Sequence, residues 1–306
     1  MFSERTNWRL ARNRFTQAVE EMRAQGARLL DLTASNPTRA GLEYDGKTIL
    51  DALQSERSLD YDPQAKGLLT ARQAVAGYYE TEHGIHSLDP ERIVLTTSTS
   101  EGYSYVFRLL CNAGDELLVP KPSYPLFEFL ADLQDVKLVP YPLIYDHGWQ
   151  MDLHSLERAL TGRTRGVVVV HPNNPTGSYV RGAEIRPLNK FCFAHGLALI
   201  VDEVFLDYEL GTSGAKAPTR KGAAVSTGFD AAPSFISNHE VLTFTVSGLS
   251  KISGLPQMKV AWIVASGPAT QDIDWDRATA ALQRALVRLK VAEYAPKKRG
   301  VAVPGQ

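Results

Sequence analysis

The sequence has almost no net charge: over 306 residues, 33 Lys and Arg stand against 34 Asp and Glu, a formal charge of -1. Nucleic acid and anionic lipid therefore find no electrostatic footprint here. Long apolar runs are also missing. Nowhere do about 18 apolar residues run together, and the longest stretches, such as 166–170 and 197–201, suit buried strands rather than a membrane span. The first 15 residues carry five charged side chains and no apolar middle region, so no export signal is expected. Cysteine is scarce. Cys111 and Cys192 have no C-x-x-C partner and sit in apolar helical patterns, which predicts a chain of the reducing cytoplasm. No G-x-G-x-x-G follows a strand, so a nicotinamide dinucleotide lacks its phosphate turn. His83 and His86 have H-x-x-H spacing, but Gly84 interrupts the helix that would align them and no third ligand is nearby, which favours a solvated turn over zinc.

What is present is enough for a large core, with 44% hydrophobic residues. Residues 5–25 read as an amphipathic helix with Leu10, Ala18 and Met22 on its apolar side and Gly26 as C-cap, followed by a short strand at 28–32. Further on, apolar runs at 93–96, 116–120, 137–140, 166–170, 197–201, 241–246 and 260–264 alternate with helical patterns at 100–111, 124–133, 155–160 and 183–195. Strands without polar alternation, separated by helices, predict an α/β protein with a mostly parallel seven-stranded sheet flanked by helices. Residues 211–233, rich in Gly, Ala, Ser and Pro, read as a loop insertion.

In such sheets ligands collect beyond the carboxyl ends of the strands. The first run ends in Thr97-Ser98-Thr99-Ser100-Glu101-Gly102, a hydroxyl-rich helix entry that suits a phosphate, although ordinary N-capping explains it equally well. The second ends in Lys121-Pro122-Ser123-Tyr124-Pro125, which sets an aromatic ring beside the strand end; packing alone would also account for it. The 166–170 run ends in His171-Pro172-Asn173-Asn174-Pro175-Thr176-Gly177, too many turn formers for a plain connection. Asp202 and Glu203 end the 197–201 run, where a buried carboxylate needs a cation or hydrogen-bond donors. The 241–246 run leads to Ser247-Gly248-Leu249-Ser250-Lys251, a lysine among hydroxyls, glycines and apolar residues. Such surroundings favour an uncharged amine, which is a nucleophile. Gly248 occupies the position three before Lys251, so this is not an S-x-x-K serine nucleophile.

A phosphate site, an aromatic plate, an asparagine, a buried carboxylate and an isolated lysine together describe a pyridoxal phosphate site. The chain resembles the fold type I pyridoxal phosphate enzymes, specifically the class I/II aminotransferases, from about residue 32 to 265. Asn174-Pro175-Thr176-Gly177, Asp202-Glu203-Val204-Phe205 and Ser247-Gly248-Leu249-Ser250-Lys251 carry the likeness, in the family's order and approximate spacing. The resemblance implies that Lys251 forms the internal aldimine with pyridoxal 5'-phosphate and shuttles the Cα proton. Asp202 would hold the pyridine nitrogen protonated, Asn174 would bind the ring phenolate, and Tyr124 would stack on the ring. Thr99, Ser100, Ser247 and Lys259 would take the phosphate, Lys259 standing where relatives often have arginine. Tyr61 matches a tyrosine that reaches the phosphate of a neighbouring subunit, which implies a homodimer with shared sites. Asn36, in Asn36-Pro37-Thr38, matches the segment near the substrate carboxylate, which Asn174 also approaches.

The implied activity is amino transfer between an α-amino acid and a 2-oxo acid through pyridoxamine phosphate. Two alternatives stand beside it: another fold type I reaction (lyase or decarboxylase), and cofactor binding without turnover. Phe205 occupies the place of a tyrosine that donates to the phenolate in many relatives, which predicts a higher aldimine pKa. After Gly267 the likeness fades. The expected division is an arm and small-domain part at 1–45, a cofactor-binding domain at 46–270, and a divergent helix and tail at 271–306 with most of the usual small domain, and its carboxylate-binding arginine, missing. Candidate arginines in 276–288 receive no role.

Overall fold

The computed structural model describes residue 6 and residues 12–30, 36–208 and 233–273. The loop expected at 211–233 (except Pro233) and the arginines and tail expected beyond residue 273 lie outside them.

A single sheet of eight strands organises the chain, one more than the seven expected, in the spatial order β1-β8-β7-β6-β5-β2-β3-β4. In chain order these are β1 (Ile93–Thr96), β2 (Glu116–Lys121), β3 (Lys137–Tyr145), β4 (Trp149–Met151), β5 (Thr164–Val170), β6 (Ala198–Asp202), β7 (Thr243–Gly248) and β8 (Ala261–Ser266). β2, β3, β5, β6 and β7 pair in parallel, while β8 runs antiparallel to both β7 and β1, so β1 shares the common direction. The additional strand is β4, a three-residue return antiparallel to the end of β3. Two prolines hid it by making β3 look finished at residue 140. Pro140 and Pro142 have the same parity, so their missing N–H groups face one side of β3, and below Leu143 β4 does not pair there.

The helices in chain order are α1 (Arg14–Ala24), α2 (Gly46–Ala52), α3 (Leu69–His83), α4 (Thr99–Leu110), α5 (Leu126–Leu133), α6 (Leu153–Ala159), α7 (Gly182–His195) and the one-turn α8 (Leu249–Ile252), and α4 and α5 pack on one face of the sheet while α6 and α7 pack on the other. Strand periodicity divides the core. Val168 and Val170 of β5 face Tyr103, Phe107 and Phe127 of α4 and α5, while Val167 and Val169 face Leu156, Leu188 and Cys192 of α6 and α7. A third cluster joins Val75 and Tyr79 of α3 to Ile93, Trp262 and Val264. Asn13 caps α1, eight residues inside the start expected at 5 for this helix. No strand forms over the described part of 28–32: residues 28–30 are irregular, and Leu30 is 84% exposed with nothing to pair against.

Candidate active site

Parallel pairing delivers the chemistry-bearing residues to one edge of the sheet. Asp202 stands level with Val170 of β5 and Val246 of β7, so the Asn174 loop and the Lys251 turn leave the sheet on either side of it. Backbone bonds fix this convergence. The His171 N–H donates to the Asp202 carbonyl at 2.8 Å, and the Glu203 N–H to that of Val246 at 2.9 Å.

Asp202 is 5% exposed, and its carboxylate accepts the Tyr103 hydroxyl at 2.7 Å and the Val204 N–H at 3.0 Å. Burial raises its pKa above the ordinary carboxylate value; the two hydrogen bonds and the charge of Lys251 act in the opposite direction. Lys251 lies on α8, its Nζ 5.2 Å from the centroid of the Phe205 ring. Its carbonyl accepts the Tyr208 hydroxyl at 2.9 Å, which ties the turn to the segment after β6. Gly248, the last residue of β7, lies so close to Ala261 that a Cβ there would sit 2.9 Å from the Val260 carbonyl oxygen.

At the end of β1, capping falls to Ser98 and Glu101. The Ser98 hydroxyl accepts the Glu101 N–H at 3.2 Å, and the Glu101 carboxylate accepts the Thr97 N–H at 2.7 Å. Among the described residues the hydroxyls of Thr99 and Ser100 make no hydrogen bond, and they stand with the first-turn N–H groups at the start of α4. Tyr124, 40% exposed, packs edge-on against Phe127, whose ring meets that of Tyr103. Asn173, beside Asn174, donates to the Thr176 hydroxyl and the Pro122 carbonyl, joining this loop to the one carrying Tyr124. Ser247 is buried with its hydroxyl 3.4 Å from the Glu203 carbonyl. Lys259 is exposed in the left-handed conformation, φ 55°, just before β8.

Two expected residues stand apart from this cluster. Tyr61 is 91% exposed on an irregular segment. Asn36 spends its side-chain oxygen on a turn, accepting the Thr38 N–H at 3.0 Å and the Thr38 hydroxyl at 2.6 Å. Its segment nevertheless approaches the Lys251 turn, because the Tyr44 hydroxyl donates to the Gly254 carbonyl at 2.6 Å.

Three contributors escaped the sequence reading: Tyr103, Tyr208 and Tyr44. For Tyr103 a signal existed, since a tyrosine on the apolar face of a helix needs a partner for its hydroxyl. His83 bonds Tyr78 at 2.9 Å and pairs with Asp207 at 3.2 Å, while His86 turns to Glu80.

As a donor set the site suits a planar, phosphorylated heterocycle with an aldehyde. It offers an amine, a buried carboxylate with two lone pairs uncommitted among the described residues, and free hydroxyl and N–H groups at a helix start.

Residues 28–291 match the family described as aminotransferase class I and II. A glutamate-pyruvate aminotransferase of Escherichia coli strain K12 is 28% identical over 252 residues, covering 82% of this chain and 58% of its own length. An alanine aminotransferase of Mycobacterium bovis is 29% identical over 252 residues, covering 82% and 55%. The crystal structure of an aminotransferase from Escherichia coli superposes with a TM-score of 0.69 at 26% identity, covering 91% of this chain and 64% of that one. The chain thus spans little more than half the length of these curated relatives.

Proposed function

From the premise that the chain belongs to the class I and II aminotransferases, we propose that it is a pyridoxal phosphate-dependent aminotransferase moving an amino group between an α-amino acid and a 2-oxo acid. The observation that carries this reading is the placement of Asp202 and Lys251 at the carboxyl ends of the paired strands β6 and β7, with the Asn174 loop leaving β5 beside them.

Bound pyridoxal phosphate would supply an electron sink for the Cα–H bond of the amino acid. Lys251 Nζ would hold the cofactor through its aldehyde carbon, and the same amine would hold and move the Cα proton. Asp202 accepts the pyridinium N–H and favours its charged form. Asn174 donates to the ring oxygen, and Tyr124 covers the ring face. Thr99, Ser100 and Ser247 bind the phosphate through neutral donors, with Lys259 providing charge but no bidentate fork. Asn36 and Asn174 approach the substrate carboxylate. Tyr61 reaches outward to a second copy, so the working form is a homodimer. The unpaired Cys111 and Cys192 suit a reducing cytoplasm.

Product analysis tests the reading. Purified protein loaded with pyridoxal phosphate is incubated with glutamate or alanine as donor and pyruvate or 2-oxoglutarate as acceptor. Stoichiometric appearance of the new amino acid and new 2-oxo acid supports transfer. Release of ammonia or carbon dioxide instead overturns it.

A further inference from the structure

We propose that Tyr103 is a positioning residue for this reaction: its hydroxyl holds the Asp202 carboxylate ionised and aimed at the ring nitrogen of the cofactor. The proposal rests on the site reading above, and it gives the hydroxyl of a core tyrosine a role beyond packing.

The geometry is specific. Tyr103 is 1% exposed on α4, and its hydroxyl donates to Asp202 Oδ2 at 2.7 Å, a contact across 99 residues of sequence. Val204 N–H occupies Oδ1 at 3.0 Å. A carboxylate has about four lone-pair sites, so the two filled here fix its plane and leave two for the ring N–H. A charge-assisted O–H···O⁻ bond is about twice as strong as its neutral counterpart and favours the ionised carboxylate. The phenol cannot compete as a base, since burial, and then the charge of Asp202, holds its pKa well above the ordinary tyrosine value. Its ring is set by Phe107 at 5.8 Å and Phe127 at 5.0 Å between centroids, and Phe127 in turn packs against Tyr124 at 5.9 Å.

Position on the helix adds a second consequence. Thr99 and Ser100 open α4, and Tyr103 follows about one turn later. One helix would therefore present the phosphate donors and clamp the carboxylate, fixing the separation between the two.

Tyr103→Phe, which keeps the ring and removes the hydroxyl, is the test. Thermal unfolding without cofactor is followed from acid to neutral pH in the native and Asp202→Asn backgrounds. In the native background the deficit of Tyr103→Phe grows as pH rises, because the carboxylate ionises without its donor; in the Asp202→Asn background it is independent of pH. With cofactor, binding of pyridoxal phosphate weakens roughly 10-fold, the loss expected for one hydrogen bond to a charged group. Turnover falls with KM for the amino donor unchanged. A Tyr103→Phe protein that binds cofactor as tightly as the parent, with the same pH dependence of stability, overturns the proposal. Parent protein that binds no cofactor overturns the site reading, and the proposal with it, whereas normal parent binding confines any failure to Tyr103. If Tyr103→Phe alone does not fold, recovery of folding in the Asp202→Asn background supports the proposal, and failure there too assigns Tyr103 to packing and refutes it.

Discussion

The Nζ of Lys251 lies 5.2 Å from the centre of the Phe205 ring, within reach of its π face. An ammonium over a ring gains about 0.5–1 kcal/mol at partly exposed sites, and the phenyl ring offers no hydroxyl. Phe205→Tyr keeps the face and adds a donor. In the loaded protein this substitution moves the pH-dependent change of the visible cofactor band to lower pH by about half to one unit, the worth of one neutral hydrogen bond. An unchanged or raised midpoint contradicts the placement of residue 205 beside the ring oxygen.

Glu203 points away from Asp202 into a second buried site, where it accepts the Ser234 hydroxyl at 2.7 Å and the Phe235 N–H at 2.6 Å. Burial pushes its pKa up from 4.5 to about 7 against these two bonds. A carboxylate raised on folding stabilises most below its unfolded value, and that contribution is lost as pH rises through the folded value. The cofactor-free protein therefore loses stability between about pH 4.5 and 7, by roughly 3 kcal/mol from this group. Glu203→Gln, whose amide the Ser234 hydroxyl can accept, flattens this part of the profile in denaturant titrations. An equally steep profile in the variant assigns the loss elsewhere.

Gly248 is paired with Ala261 across β7 and β8, and an added Cβ would meet Ala261 Cα and the Val260 carbonyl oxygen, both at 2.9 Å. Its φ of 174° is ordinary extended backbone, so the obstacle is steric. Backbone cannot rotate aside as a side chain can. Gly248→Ala costs about 2 kcal/mol in denaturant unfolding and displaces the turn that carries Lys251, lowering turnover as well. A neutral effect on both shows that β8 yields.

The parts of the site that follow directly from a strand end were legible in the sequence: Asp202, Lys251 and the Asn174 loop each stand a few residues beyond an apolar run. Strand direction then brings them together without further information. The Tyr103–Asp202 bond was not legible, because it depends on which face of α4 meets the sheet and joins residues 99 apart. The hydroxyl-rich turn was ambiguous, and the structure divides it: Ser98 caps the helix while the hydroxyls of Thr99 and Ser100 stay uncommitted. β4 escaped because three residues carry no readable period, and the strand expected at 28–32 has no neighbour over its described residues.

The central claim is that Lys251 is the covalent anchor. Protein incubated with pyridoxal phosphate, reduced with borohydride, digested and mapped by mass spectrometry reports that anchor directly. The account predicts a phosphopyridoxyl label on Lys251, absent from Lys251→Ala, and loss of the unreduced visible band when a donor amino acid is added. A label on another lysine, such as Lys259, or no label at all, contradicts it.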